Sequence, residues 1–258
     1  MYPFFHELLS DKKGGEIFTL FSPWHFAYML LTLTVIGASL WKGKERSPRE
    51  RENTLRFWIG AAFGLYILDF FLMPLAYGEI DIEKLPFHAC TAMCVMCFLS
   101  SRMPCLARWR ESFALLGLIS NLVYLIYPAG VMWHGVHPLS YRVIQTLLFH
   151  CLMTVYGVLF AVYEIGAPSA QNMRRDFLVT AAMTLWAMLG NFVYNGTAGS
   201  YSHFFNWFFV VRDPFSFFPE RVAPYVMPVL NVALFFCVEL LLRCAMALRG
   251  GKKNLKDT

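Results

Sequence analysis

Long apolar runs separated by short polar segments set the pattern of this chain. A helix rises about 1.5 Å per residue, so roughly 20 apolar residues cross a bilayer core. Seven runs of that kind are predicted, over residues 22–41, 57–78, 86–105, 111–128, 142–164, 176–195 and 223–248. They predict an all-α polytopic membrane protein, a bundle of seven transmembrane helices in a single domain, 1–258. The separators are an amphipathic lead-in (1–22), a charged loop (42–56), the acidic GEIDIEK, and ARWRES. After them come a loop holding His134 and His137, the segment 165–175, and an aromatic stretch, SYSHFFNWFFVVRDPFSFFPER. A polar tail, GGKKNLKDT, is expected to fray.

Composition agrees with this pattern. The chain is 57% hydrophobic and 15% charged, where a soluble domain carries about 25% charged residues. The net charge of +5 is not a nucleic-acid signal, because the basic residues sit between hydrophobic runs, where they orient helices and meet anionic headgroups. With seven spans, sixteen of the 22 Lys and Arg fall on one side. The positive-inside rule then puts the N-terminus outside and the C-terminus in the cytoplasm. Residues 1–20 lack the apolar stretch of a cleavable signal, so the first span is expected to direct insertion. Seven cysteines, mostly inside spans, read as small buried hydrophobes rather than a disulfide framework.

Polar side chains inside the spans change the picture. His25, Cys90 and His150 lie near the outer starts of their spans, while Asp69, Asn121 and Asn191 fall at the middle or in the outer half. Polar groups facing lipid are costly, so these are expected to point inward and share a polar cavity with His88, Thr91, Gln145 and Asn231. Glu239 is the exception, placed near the cytoplasmic end. The chain is therefore organised around Leu85–Cys97, LPFHACTAMCVMC, with Pro86 as a first helical residue.

Cys90 is the candidate nucleophile, since a helix N-terminus favours the thiolate. His88 is two residues away and would not face it on a regular helix. The base is expected from another helix, His150 first and His25 second, with Asp69 or an amide such as Asn191 holding the imidazole in one tautomer. The stripe Cys90, Cys94, Cys97 and the trio His25, His88, His150 also read as metal ligands. The cysteine spacing is simply one helix face and thiolates in lipid are costly, the histidines offer no short-spaced pair such as HxxxH, and no metal or other cofactor is expected. His134 and His137 read as solvated, His203 as part of an aromatic belt or a lid. Asn195-Gly196-Thr197 matches a glycosylation sequon.

Several landmarks together resemble the YwaF-type integral membrane protein family. Phe21-Ser22-Pro23-Trp24-His25 is similar to its FSxxH opening of helix 1. Leu85-Pro86-Phe87-His88-Ala89-Cys90-Thr91 resembles its LPLHLCS motif. Gly117 to Pro128, the segment holding His137, Arg142, Gln145 and His150, the pair Asn191 and Asn195, and APYVMPVL are similar to later landmarks. The resemblance implies seven helices. Through eukaryotic relatives that are lipid acyltransferases, it implies transfer or hydrolysis of lipid acyl chains by Cys90 and His150. A further similarity reaches membrane hydrolases that use Thr and His. Two other readings stay open: a proton- or solute-handling transporter using Asp69, His25 and His150, and a non-catalytic membrane protein whose polar residues only join helices. In each, membrane lipids are the surroundings, and no nucleic acid is a partner.

Overall fold

Helix starts follow the caps the sequence offers. In a computed structural model describing residues 17–78, 82–133, 135–197, 205–214 and 216–254, the chain forms α1 (Pro23–Gly43), α2 (Pro48–Tyr77), α3 (Ala89–Ser100), α4 (Arg110–Ile126), α5 (Ala129–Trp133), α6 (Tyr141–Tyr163), α7 (Ala170–Thr197) and α8 (Ala223–Asn254). Single 3-10 stretches occur at Ile82–Lys84, Pro104–Trp109 and Trp207–Phe209. No strand occurs among the described residues. Among the described residues, six helical stretches are long and apolar enough to cross a membrane, and Ala89–Ser100 is a shorter apolar helix. The lead-in up to residue 16, residues 79–81 of the acidic loop, His134, His203 and the last four residues lie outside the described residues.

α1 opens as FSPWH suggests: the Ser22 side chain accepts from the His25 N–H, and Pro23 occupies the first turn. α2 starts well before the predicted span. Ser47 and Glu50 form a reciprocal capping box, Ser47 N–H to Glu50 Oε2 at 2.8 Å, and Pro48 follows. The charged segment 48–56 is thus helix, not loop, with an Arg56–Glu52 pair at 2.8 Å. α2 ends at Gly78, whose φ of 83° is the left-handed cap glycine adopts without strain.

α3 is the largest departure. It begins at Ala89, with His88 as an extended N-cap, and ends at Ser100. Pro86 is therefore outside the helix. Its carbonyl accepts from the Trp186 indole N–H at 2.7 Å. Twelve residues rise only about 18 Å, short of the ~30 Å of hydrocarbon. The rest of the predicted span, up to 105, passes into the Pro104–Trp109 turn. α5 and the first residues of α7 are likewise helical where loop is predicted.

The chain divides into two compact units, Met1–Ile82 with Ser120–Tyr163, and Glu83–Ile119 with Glu164–Thr258. In the first, α1 and α2 both pack on α6, which is buried along most of its length. A core of Phe18, Leu125, Val131, Val136, Val143, Leu147 and Cys151, flanked by Trp24 and Tyr28, closes one end. In the second, α7 packs on α8, and the Trp207–Phe209 turn packs on both.

Candidate functional site

The predicted polar residues fall into two groups, one per unit. The first holds His25, Asp69, Asn121, Gln145 and His150. The second holds His88, Cys90, Thr91, Asn191 and Asn231.

In the first unit, two histidines are fixed by main chain. A carbonyl can only accept, so a short contact to one places the ring proton. His150 Nδ1 lies 2.7 Å from the Thr146 carbonyl on its own helix, which puts the hydrogen on Nδ1 and the lone pair on Nε2. The ring stacks on Tyr124 at 3.8 Å between centroids and meets the Phe149 ring edge-on. His25 Nε2 contacts the Leu125 carbonyl at 2.7 Å, while its Nδ1 accepts from Phe21 N–H at 3.1 Å. Both His25 nitrogens are thus engaged by backbone, and this residue ties the start of α1 to α4. The expected orienters of the imidazole have other work. Asp69 Oδ1 accepts from the Tyr141 hydroxyl at 2.8 Å, and Asn191 belongs to the second unit. Gln145 and Asn121 are buried, and Gln145 Oε1 accepts from the Thr146 hydroxyl at 3.3 Å.

In the second unit, residues 205–209 run outside regular helix, with Phe208 and Phe209 at φ near 55° and 53°. Trp207 and Phe208 are nonetheless buried. Such backbone needs internal partners in a membrane protein, and here side chains supply them. Asn195 accepts from Phe205 N–H (2.8 Å) and donates to Phe205 O (2.9 Å). One turn earlier on α7, Asn191 makes the same paired contact with Trp207, at 3.0 Å each way. His88 Nδ1 accepts from Phe208 N–H (3.1 Å), and Asn231 Nδ2 donates to Phe208 O (2.7 Å). Three asparagines and one histidine thus act as the rungs of a ladder for an irregular segment that contains one short 3-10 turn. The predicted sequon asparagine is one of these rungs, inside α7.

The same ladder frames Cys90. His88 caps α3 without a side-chain hydrogen bond to it, and Thr91 Oγ1 returns to the His88 carbonyl at 3.1 Å. Cys90 is the second residue of the helix and half-buried. Phe87 is wedged between Trp186 and Trp207, with centroids 5.0 Å from each. It lies so close to Gly190 that a Cβ there would strike its ring. A glycine at this point of α7 lets the chain leading into α3 approach closely.

A further buried group was not predicted as a unit. Arg243 on α8 is fully buried. It donates to both oxygens of Asp176 (2.5 and 2.9 Å), to Glu111 (2.7 Å) and to the Gly166 carbonyl (3.1 Å). Ser112 donates to Asp176 at 2.6 Å. One turn before Arg243, the buried Glu239 accepts from Thr180 at 3.2 Å. Arg243 is therefore an internal charge, not one of the surface cations counted for orientation. The available signal was an acid and a base four apart in an otherwise apolar span.

All seven cysteines are free thiols, with Cys94, Cys97 and Cys151 buried. Among the described residues, no three His, Cys, Asp or Glu side chains are grouped to hold a metal ion.

A family model described as the TMEM164 family matches residues 20–244. No curated protein and no solved structure matches the chain. The family match and the six membrane-length apolar helices make this an integral, multi-pass membrane protein.

Proposed function

The chain belongs to the TMEM164 family of transmembrane proteins, and from that premise we propose that it is a membrane-embedded lipid acyltransferase or acyl hydrolase with Cys90 as nucleophile and His150 as base. The observation that carries the reading is the position of Cys90. It is a half-buried thiol at the second residue of a helix whose N-cap offers no side-chain acceptor. The N–H groups there are suited both to a thiolate and to the oxyanion of an acyl intermediate. The likeness to YwaF-type proteins and their acyltransferase relatives supports the same chemistry.

The proposed steps balance as follows. His150 Nε2 takes the thiol proton while Cys90 Sγ attacks the ester carbonyl of a phospholipid. The C–S bond forms, the C–O bond breaks, and the lysolipid leaves with the proton returned by the imidazolium. A second lysolipid hydroxyl, or water, then gives its proton to His150 and attacks the thioester, and Cys90 departs as thiolate and takes that proton back from the imidazolium. Thr146, through its carbonyl, takes the orienting role that a carboxylate plays in other triads.

The test is acyl transfer between labelled phospholipid and lysolipid in nanodiscs, with trapping of an acyl-thioester. Cys90→Ala is expected to abolish both transfer and adduct. His150→Ala is expected to lower transfer by ~100-fold or more, as loss of a general base does. Full turnover in Cys90→Ala would overturn the reading. Solute uptake that depends on Asp69 and survives loss of Cys90 would favour transport instead.

A further inference from the structure

His88 lies two residues before Cys90, yet its ring is turned to a distant part of the chain. Nδ1 accepts the Phe208 N–H at 3.1 Å, which leaves the ring proton on Nε2. The Phe209 ring sits edge-on to it, 6.1 Å between centroids. The next peptide, on the other side of the Phe208 Cα, is held by Asn231, which donates to the Phe208 carbonyl at 2.7 Å. Phe208 has a φ of 55°, a conformation that a bulky residue adopts only where its surroundings impose it. Phe208, gripped at its N–H by His88 and at its carbonyl by Asn231, is thus a fixed point, and the N-cap residue of α3 is tied to it.

We propose that His88 is a positioning residue, through which the ladder-held segment 205–209 sets the start of α3 and thereby the orientation and reactivity of Cys90. This rests on the reading of Cys90 as the nucleophile. It gives the aromatic segment a defined role: the His88 bond to Phe208 main chain joins the Phe87–Trp207 packing in fixing the start of α3. It also removes His88 from the list of bases, because its Nδ1 lone pair is committed to Phe208.

Amide side chains separate the two ends of the imidazole. In His88→Asn, the amide oxygen reaches the place of Nδ1 and keeps the bond to Phe208. In His88→Gln, the amide reaches the place of Nε2 and loses it. Asn231→Ala loosens the same residue, at its carbonyl, without touching α3. The readout is residue-resolved alkylation of Cys90 by N-ethylmaleimide in nanodiscs, with acyl transfer measured in parallel and Cys105 as the internal control.

Cys90 labelling and acyl transfer are expected near wild type in His88→Asn. In His88→Gln, His88→Ala and Asn231→Ala, acyl transfer should fall by ~100-fold, the scale of a ~1 Å misplacement of a reacting group, with the Cys90 labelling rate changed and Cys105 unchanged. If Asn fails to restore what Gln and Ala lose, or if Asn231→Ala leaves Cys90 as in wild type, the proposal is overturned. Should His88→Ala not fold, the Asn, Gln and Asn231 variants still decide it. Labelling does not require turnover. A wild-type protein without acyl transfer would sink the enzyme reading, while the labelling order would still judge the positioning role.

Discussion

Two buried polar groups of the second unit solve different problems by different means. Around Arg243, one guanidinium gathers Asp176, Glu111 and the Gly166 carbonyl, joining three helices and a loop by charge. Around residues 205–209, the partners are neutral amides and one imidazole, and what they hold is peptide backbone. The charged group stabilises only as a complete set, since removing one member strands the others away from water. The neutral ladder is divisible: each rung makes its own hydrogen bonds, paired at Asn191 and Asn195 and single at His88, and losing one leaves the rest in place. Charge here locks helices to one another, whereas amides give a fixed path to a segment outside the α-helices.

Breaking the charged group should have the largest effect. Arg243→Met leaves buried Asp176 without its counter-charge and is expected to cost about 3–5 kcal/mol, read as a loss of thermal stability in detergent. Replacing Asp176 by Leu in the same chain should recover most of that loss, because Glu111 is partly exposed and an apolar replacement of a buried ion pair is often neutral. If the double variant is as unstable as the single one, the group is not the self-contained ionic lock described. On the ladder, Asn191→Ala removes two hydrogen bonds and strands the buried Trp207 peptide, at a cost of about 2–3 kcal/mol. Gly190→Ala should cost about 1–3 kcal/mol by pressing on the Phe87 ring. Asn195 is less buried than Asn191, so Asn195→Ala should cost only about 1 kcal/mol. An equal loss at 191 and 195 would mean that the rungs fail together. The ladder would then resemble the charged group more than it differs from it.

The membrane class and most helix positions were legible, because apolar runs and caps such as Ser22-Pro23 are local signals. Local signals also explain the errors. The charges of 48–56 read as loop, yet Ser47-Pro48 with Glu50 is a helix start, and Pro86 reads as a first helical residue, yet the helix begins three residues later. The candidate site was legible in its residue types and hardly at all in its pairings. Asn191 meets Trp207 sixteen residues on, in a segment without periodicity. Arg243 meets Asp176 across 67 residues, and counting cations by loop could only misfile it. The Thr146 carbonyl beside His150 has no sequence signature, since every residue has a carbonyl.

The ladder also bears on how sequences of this kind can diverge. Its rungs grip N–H and C=O groups, which every residue but proline presents alike. The path of residues 205–209 is therefore written at His88, Asn191, Asn195 and Asn231, while packing specifies the buried Trp207 and Phe208 and the stacked Phe205. Related chains are expected to keep those four positions and to vary residue 209 most freely, without redrawing the backbone beneath it.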